Sequence, residues 1–165
     1  MKSDGELGAA ATPADRVLVI ERSFDAPRER VWNAWTHPVQ AKRWIGPHGF
    51  TATHLEGELR PGGAWRICIR RDADGEELWQ GGVYREVAAP ERLVFTFAWD
   101  GPNGRPGPET LVTIRFLEDG PDRTRMIFCQ GVFDTTANRD GHRGGWTESF
   151  ERFAAHLAAR GGQGG

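Results

Sequence analysis

Cysteine is scarce in this chain: Cys68 and Cys129 are the only two among 165 residues. Each falls out of phase with the apolar residues of its strand pattern, so both are expected on the face away from the main core. Neither has the spacing of a metal site or a redox pair, and two free thiols suit a reducing compartment. No apolar run approaches the ~18 residues a membrane span needs. Residues 1–14 lack the hydrophobic block of a signal peptide, so the expected location is the cytoplasm. An excess of one charge sign is also missing. Lys and Arg number 21 against 23 Asp and Glu, a net charge of −2, which removes the electrostatic case for nucleic acid or membrane insertion.

Chemical motifs are equally sparse. His37, His48, His54, His142 and His156 form no i,i+4 pair and no cluster with cysteine, so no metal site is expected. His48 and His54 flank Phe50 and would meet only across a bend. Gly141-His142-Arg143-Gly144-Gly145 lacks the lysine and preceding strand of a phosphate loop. Gly144 and Gly145 suit a tight approach or a flexible helix entry. Ser149 sits in a helical pattern, not in a nucleophile elbow. No catalytic motif and no cofactor is identified.

What is abundant is aromatic and alternating. Seven Trp and nine Phe accompany a single tyrosine, Tyr84. Period-2 patterns predict strands at residues 16–24, 50–58, 64–71, 77–87, 92–99, 109–118 and 124–132. Inward parity falls on Trp65, Ile67 and Ile69; Phe95, Phe97 and Trp99; Val112, Ile114 and Phe116; and Met126, Phe128 and Gln130. The 77–87 strand is ambiguous. Trp79, Val83 and Val87 share one face and Tyr84 and Glu86 the other, unless a bulge at Gly81-Gly82-Val83 turns Trp79 and Tyr84 inward together.

After the first strand, Asp25 is a plausible N-cap and Pro27 suits the first turn of a helix running to Trp35. A second short helix spans 39–44. Residues 133–143 read as a polar connection. The chain closes on a long helix where Trp146, Phe150, Phe153 and Leu157 recur at i, i+4, i+7 and i+11. Glu148 and Arg152 stand at i,i+4 spacing, favourable for an ion pair. His156 is expected to face solvent. The order is α+β: strand, two helices, a six-strand meander with short turns, then a long helix. The first strand is expected to pair with the last, and the 50–58 strand offers an exposed edge for a dimer.

The string from Phe24 to Pro38, FDAPRERVWNAWTHP, is similar to the opening signature of the START-like (SRPBCC) superfamily. It most resembles the branch related to the C-terminal domain of the activator of heat-shock protein 90 ATPase. Trp44-Ile45-Gly46-Pro47, Arg60-Pro61-Gly62-Gly63, Pro90-Glu91-Arg92-Leu93 and the 145–157 helix follow in the order that branch uses. The resemblance covers residues 16–158 as one domain between tails at 1–15 and 159–165. It implies a helix-grip fold, a curved antiparallel sheet of about seven strands wrapped on the long C-terminal helix, with the two short helices closing one end.

That fold implies a cavity between sheet and helix, and hence a small apolar, aromatic or lipid-like ligand as partner. Expected lining residues are Trp44 and Phe50 at the mouth, with Trp65, Ile67, Trp79, Tyr84, Phe97, Trp99, Ile114, Phe116, Phe128, Gln130, Trp146 and Phe150. The competing reading is that many of these only fill a core. Gln130 would need a polar partner there, and Glu86, if desolvated, is the one catalytic candidate, an acid or base with a raised pKa. The resemblance also implies two alternatives: a polyketide cyclase or dehydratase-like enzyme, and a co-chaperone-like partner of heat-shock protein 90. The chain presents one domain, without the N-terminal domain of the eukaryotic activator, which weighs against the latter. A monomer or a homodimer suits either reading.

Overall fold

The computed structural model of the protein describes residues 13–162, with side chains to residue 159. A short 3-10 helix at Pro13–Arg16 leads into β1 (Leu18–Phe24). Two helices follow, α1 (Arg28–Thr36) and α2 (Pro38–Trp44), and then six strands. These are β2 (Phe50–Gly57), β3 (Ala64–Arg71), β4 (Glu77–Ala88), β5 (Arg92–Trp99), β6 (Thr110–Glu118) and β7 (Thr124–Gly131). The chain closes on α3 (Thr136–Gly162). Of the two expected tails, residues 1–12 and 163–165 lie outside the described residues, while Pro13–Arg16 and the end of α3 are regular structure.

The sheet is antiparallel throughout, in the order β1-β7-β6-β5-β4-β3-β2. β2 to β7 follow one another as a meander, joined by short turns except for the loop 100–109 between β5 and β6. The two edge strands β1 and β2 are therefore joined only by the α1–α2 segment, which must cross the concave face. β1 pairs with β7 from Leu18↔Gln130 to Phe24↔Thr124, as its position before two helices required. The curled sheet, the long helix and the two short helices together make the helix-grip α+β fold.

Local chemistry sets the helix ends differently from the sequence patterns. Pro27 is the N-cap of α1, and Asp25, with its side chain 92% exposed, caps nothing and faces Arg123 at 3.6 Å. Pro38 takes the first position of α2, where its missing N–H costs no hydrogen bond. Trp44 ends α2 fully buried, and its Nε1 donates to Ala34 O at 3.0 Å, fastening α2 to α1.

The long helix begins in the segment expected to be a polar connection. Thr135 Oγ1 accepts from the Asn138 backbone N–H at 3.0 Å, supplying the cap. Burying the His142 ring against Phe133 and Phe97, at 4.7 and 5.8 Å between centroids, holds the glycine-rich 141–145 stretch helical against its propensity. Glu148 and Arg152 do not pair. Both reach the α2–β2 loop: Glu148 Oε1 accepts from the His48 backbone N–H, and Arg152 Nη1 donates to the carbonyls of Gly46, Pro47 and Phe50. His156, expected in solvent, is half-buried with Nε2 3.3 Å from Gln40 Oε1.

The core divides unevenly. On the β1, β7 and β6 side the helix lies directly on the sheet, with Phe24–Phe153 centroids at 4.9 Å and Phe128–Phe150 at 5.3 Å. Trp32 from α1 covers Phe116 at 5.7 Å. Towards β2–β5 the helix and sheet part. There β4 presses onto its neighbours: a Cβ at Gly82 would stand 1.9 Å from Thr96 O, so only glycine fits.

Candidate functional site: a two-lobed cavity between sheet and helix

Where helix and sheet part, two connected hollows open. The inner lobe, about 60 Å³, lies under α1 and α2, with Trp35, Ile45, Trp65, Ile67, Tyr84 and Phe95 among its walls. The outer lobe, about 270 Å³, lies between the α2–β2 loop and α3, with Phe50, Ile69, Leu78, Trp99, His142 and Gly145 among its walls. Ile45, Gln80, Phe97 and Trp146 border both lobes and form the waist between them. Gly141 and Gly145 occupy the helix face over the outer lobe, and a Cβ at either would meet nothing within 4 Å. No close approach requires these glycines; they leave space.

Half of the expected lining residues reach this cavity: Phe50, Trp65, Ile67, Tyr84, Phe97, Trp99 and Trp146. Ile114, Phe116, Phe128, Phe150 and Trp44 do not. All five are fully buried in the packed half of the core, because β6, β7 and α2 contact the helix side without a gap. Trp44 does not close the mouth. Its ring lies 4.3 Å from Phe153 and 4.9 Å from Trp35, inside an aromatic cluster.

Trp79 is on the opposite face of the sheet, with Arg66 stacked over its ring at 5.2 Å and His54 at 5.2 Å. Cys68, paired in register with both His54 and Trp79, is buried beneath them, outside the main core cluster. Both cysteines are free. Glu86 does not enter the cavity either. The irregularity in β4 falls between Tyr84 and Glu86 rather than at the glycines, so Tyr84 stays inward while Glu86 turns out to bond Arg92 Nε at 3.0 Å.

The two buried glutamines behave oppositely. Gln130, expected in the cavity, borders neither lobe. It is fully buried, accepts from Trp146 Nε1 at 2.8 Å and donates to Thr110 Oγ1 at 2.9 Å, so it holds the waist tryptophan in place. Gln80 is 6% exposed, faces both lobes, and makes no side-chain hydrogen bond among the described residues. The sequence patterns passed over Gln80, although it shares parity with Tyr84 and so carried a signal. His142 and the glycines beside it are weighed in the sequence only as a metal ligand, a phosphate loop and a helix entry, not as cavity wall, because most of their segment reads as a polar connection.

Two titratable side chains in the lobes are held neutral. Burial pushes the Tyr84 hydroxyl pKa up, so it stays protonated. Burial pushes the His142 pKa below its ordinary value, partly opposed by the Asn138 carbonyl and by Asp134. Its Nε2 accepts from Trp99 Nε1 at 2.8 Å while Nδ1 lies 2.9 Å from Asn138 O, a pair of bonds only the Nδ1–H tautomer satisfies. The unfolded chain therefore binds this proton more readily than the folded one. The contribution of His142 to stability is complete above about pH 6.5 and declines as pH falls towards the lower folded pKa. Urea midpoints at pH 7.5 and pH 5 are expected to show that decline, and His142→Gln, which keeps a donor and an acceptor, is expected to lessen it.

No metal site is found among the described residues: His48 bonds Glu151 and His54 bonds Glu56, both at 3.0 Å. No helix there is long and apolar enough to cross a membrane.

A curled seven-stranded sheet gripping a long helix over an apolar hollow defines a START-like protein. Residues 25–158 match the family described as Activator of Hsp90 ATPase homolog 1-like protein, and the chain belongs to that family. Solved structures with this fold include the AHSA1 protein of Silicibacter pomeroyi, 23% identical with a TM-score of 0.80 over 87% of this chain and 99% of that one. A protein from Arthrobacter aurescens is 26% identical, with a TM-score of 0.80 over 90% of this chain and 89% of its own. DynU16, a protein in the dynemicin biosynthetic locus, is 22% identical with a TM-score of 0.69, over 87% of this chain and 47% of DynU16. No match was found among curated protein sequences.

Proposed function

We propose that the protein binds one small apolar, aromatic or lipid-like molecule in the cavity between the sheet and α3. The observation that carries this reading is an apolar two-lobed hollow between sheet and helix with an unbonded carboxamide at its waist. Cavities of about 150 Å³ hold benzene, and drug-sized sites begin near 300 Å³. An outer lobe of about 270 Å³ therefore suits a bicyclic ring system. Binding supports a carrier or sensor role. The cyclase-like alternative would need an acid or base inside the lobes. The titratable groups bordering them are Glu56, exposed and paired with His54, and the neutral Tyr84 and His142. The two free thiols support a reducing compartment such as the cytoplasm.

The test is native mass spectrometry of freshly purified protein, then thermal denaturation with a library of aromatic and lipid-like compounds. A discrete bound mass, or a melting temperature that rises with ligand concentration, is the expected result. A clean apo mass with no shift across the library would remove the reading.

A further inference from the structure

We propose that Gln80 is the ligand-orienting residue, and that the preferred ligand is an uncharged aromatic molecule carrying a carbonyl group rather than a carboxylate. This rests on the cavity being a ligand site, and it names the chemistry that site selects. The first observation is the carboxamide itself. A buried amide left without partners loses its bonds to water and gains nothing in return, so buried glutamines are ordinarily satisfied, as Gln130 is by Thr110 and Trp146. Gln80 is buried less completely, 6% exposed against none for Gln130, and its amide opens into the lobes with no side-chain partner among the described residues. It stands where both lobes meet, so a molecule seated in the outer lobe must present an edge to it.

The second observation is the charge of the walls. No lysine or arginine borders either lobe, and Glu56 is the one carboxylate. The nearby Arg152 guanidinium is already bonded to the carbonyls of Gly46, Pro47 and Phe50. An anion entering the lobes would be desolvated without a counter-charge, which is strongly unfavourable. A carbonyl oxygen, in contrast, accepts from the Gln80 amide N–H at little desolvation cost.

The third is shape. The waist is framed by the rings of Phe97 and Trp146, and the outer lobe by Trp99 and Phe50, surfaces that favour a flat π-system. Tyr84, also without a side-chain hydrogen-bond partner among the described residues, offers a hydroxyl in the inner lobe for a second polar group.

The experiment compares three probes on the full chain by tryptophan-fluorescence titration at pH 7.5. They are 2-acetylnaphthalene, its carbon isostere 2-isopropenylnaphthalene, and 2-naphthoate. Wild-type protein is expected to bind the ketone roughly 3–10-fold more tightly than the isostere, the worth of one net hydrogen bond. It is expected to bind 2-naphthoate at least about tenfold more weakly than the ketone. Gln80→Leu is expected to bind both uncharged probes equally. Should that variant not fold, Gln80→Met is read in its place, and the wild-type contrast needs no variant. Equal affinity for ketone and isostere, an undiminished preference in Gln80→Leu, or tight binding of 2-naphthoate each overturns the inference while leaving the cavity as a ligand site. If none of the probes binds, the inference is overturned, while the proposed function still stands or falls on the bound mass and the thermal shifts described above.

Discussion

Gly145→Phe is expected to abolish ligand binding, by about 100-fold or more, while leaving the protein folded with a melting temperature close to wild type. The position lies on the helix face bordered by Asn138, Gly141, His142 and Ser149, all of which line the outer lobe. A Cβ placed there meets no atom within 4 Å, so the ring enters open space without displacing backbone. Glycine inside a helix costs up to about 1 kcal/mol relative to alanine, and replacing it recovers part of that. Stability and binding thus move independently, a separation that a defect in folding could not produce. Isothermal titration with the ligand found by mass spectrometry, paired with thermal denaturation, reads both. Retained affinity would place the ligand elsewhere.

Trp44→Ala is expected to have the opposite profile, a loss of about 3–5 kcal/mol in unfolding free energy. In a chain of this length that is a fall of roughly 10 °C in melting temperature. Trp44 is fully buried and touches the rings of Trp35, Phe150 and Phe153, so truncation leaves a void among side chains that cannot collapse together. It also strips Ala34 O of its indole donor. Trp44→Phe restores most of the volume but not the donor, and should recover more than half of the loss. Urea denaturation at pH 7.5 measures both variants. A loss below about 1 kcal/mol for Trp44→Ala would show that α1 and α2 are not fastened through this residue.

Alternation in the strands carried the sheet, since period-2 burial is a local property of each segment. The parities of β3, β5, β6 and β7 match the burial of Trp65, Phe97, Ile114 and Phe128. Which of those side chains meet space and which meet another side chain is decided by the distance between layers, and no single strand encodes that. Ile114 and Phe128 share the inward face with Phe97, yet only Phe97 borders the cavity. At β4 the pattern failed for a local reason: an irregularity after Tyr84 reverses the side to which Glu86 points. At the start of α3, glycine-rich propensity argued for loop, and packing of His142 against Phe97, Trp99 and Phe133 outweighed it. Gln80 was legible by parity with Tyr84, but its solitude was not. An unpaired carboxamide becomes visible only once every neighbour is in place.

Arg152 gives the cavity a property in time as well as in space. Its guanidinium joins the middle of α3 to three carbonyls of the α2–β2 loop, and that loop carries Gly46, Pro47 and Phe50 on the rim of the outer lobe. Parting the rim from the helix means breaking those bonds, which are charge-assisted and so stronger than ordinary ones. For the ligand proposed above, affinity and exchange rate would then rest on different parts of the fold. The walls and Gln80 would set how tightly that molecule is held, and the Arg152 bonds how readily the rim lets it in and out.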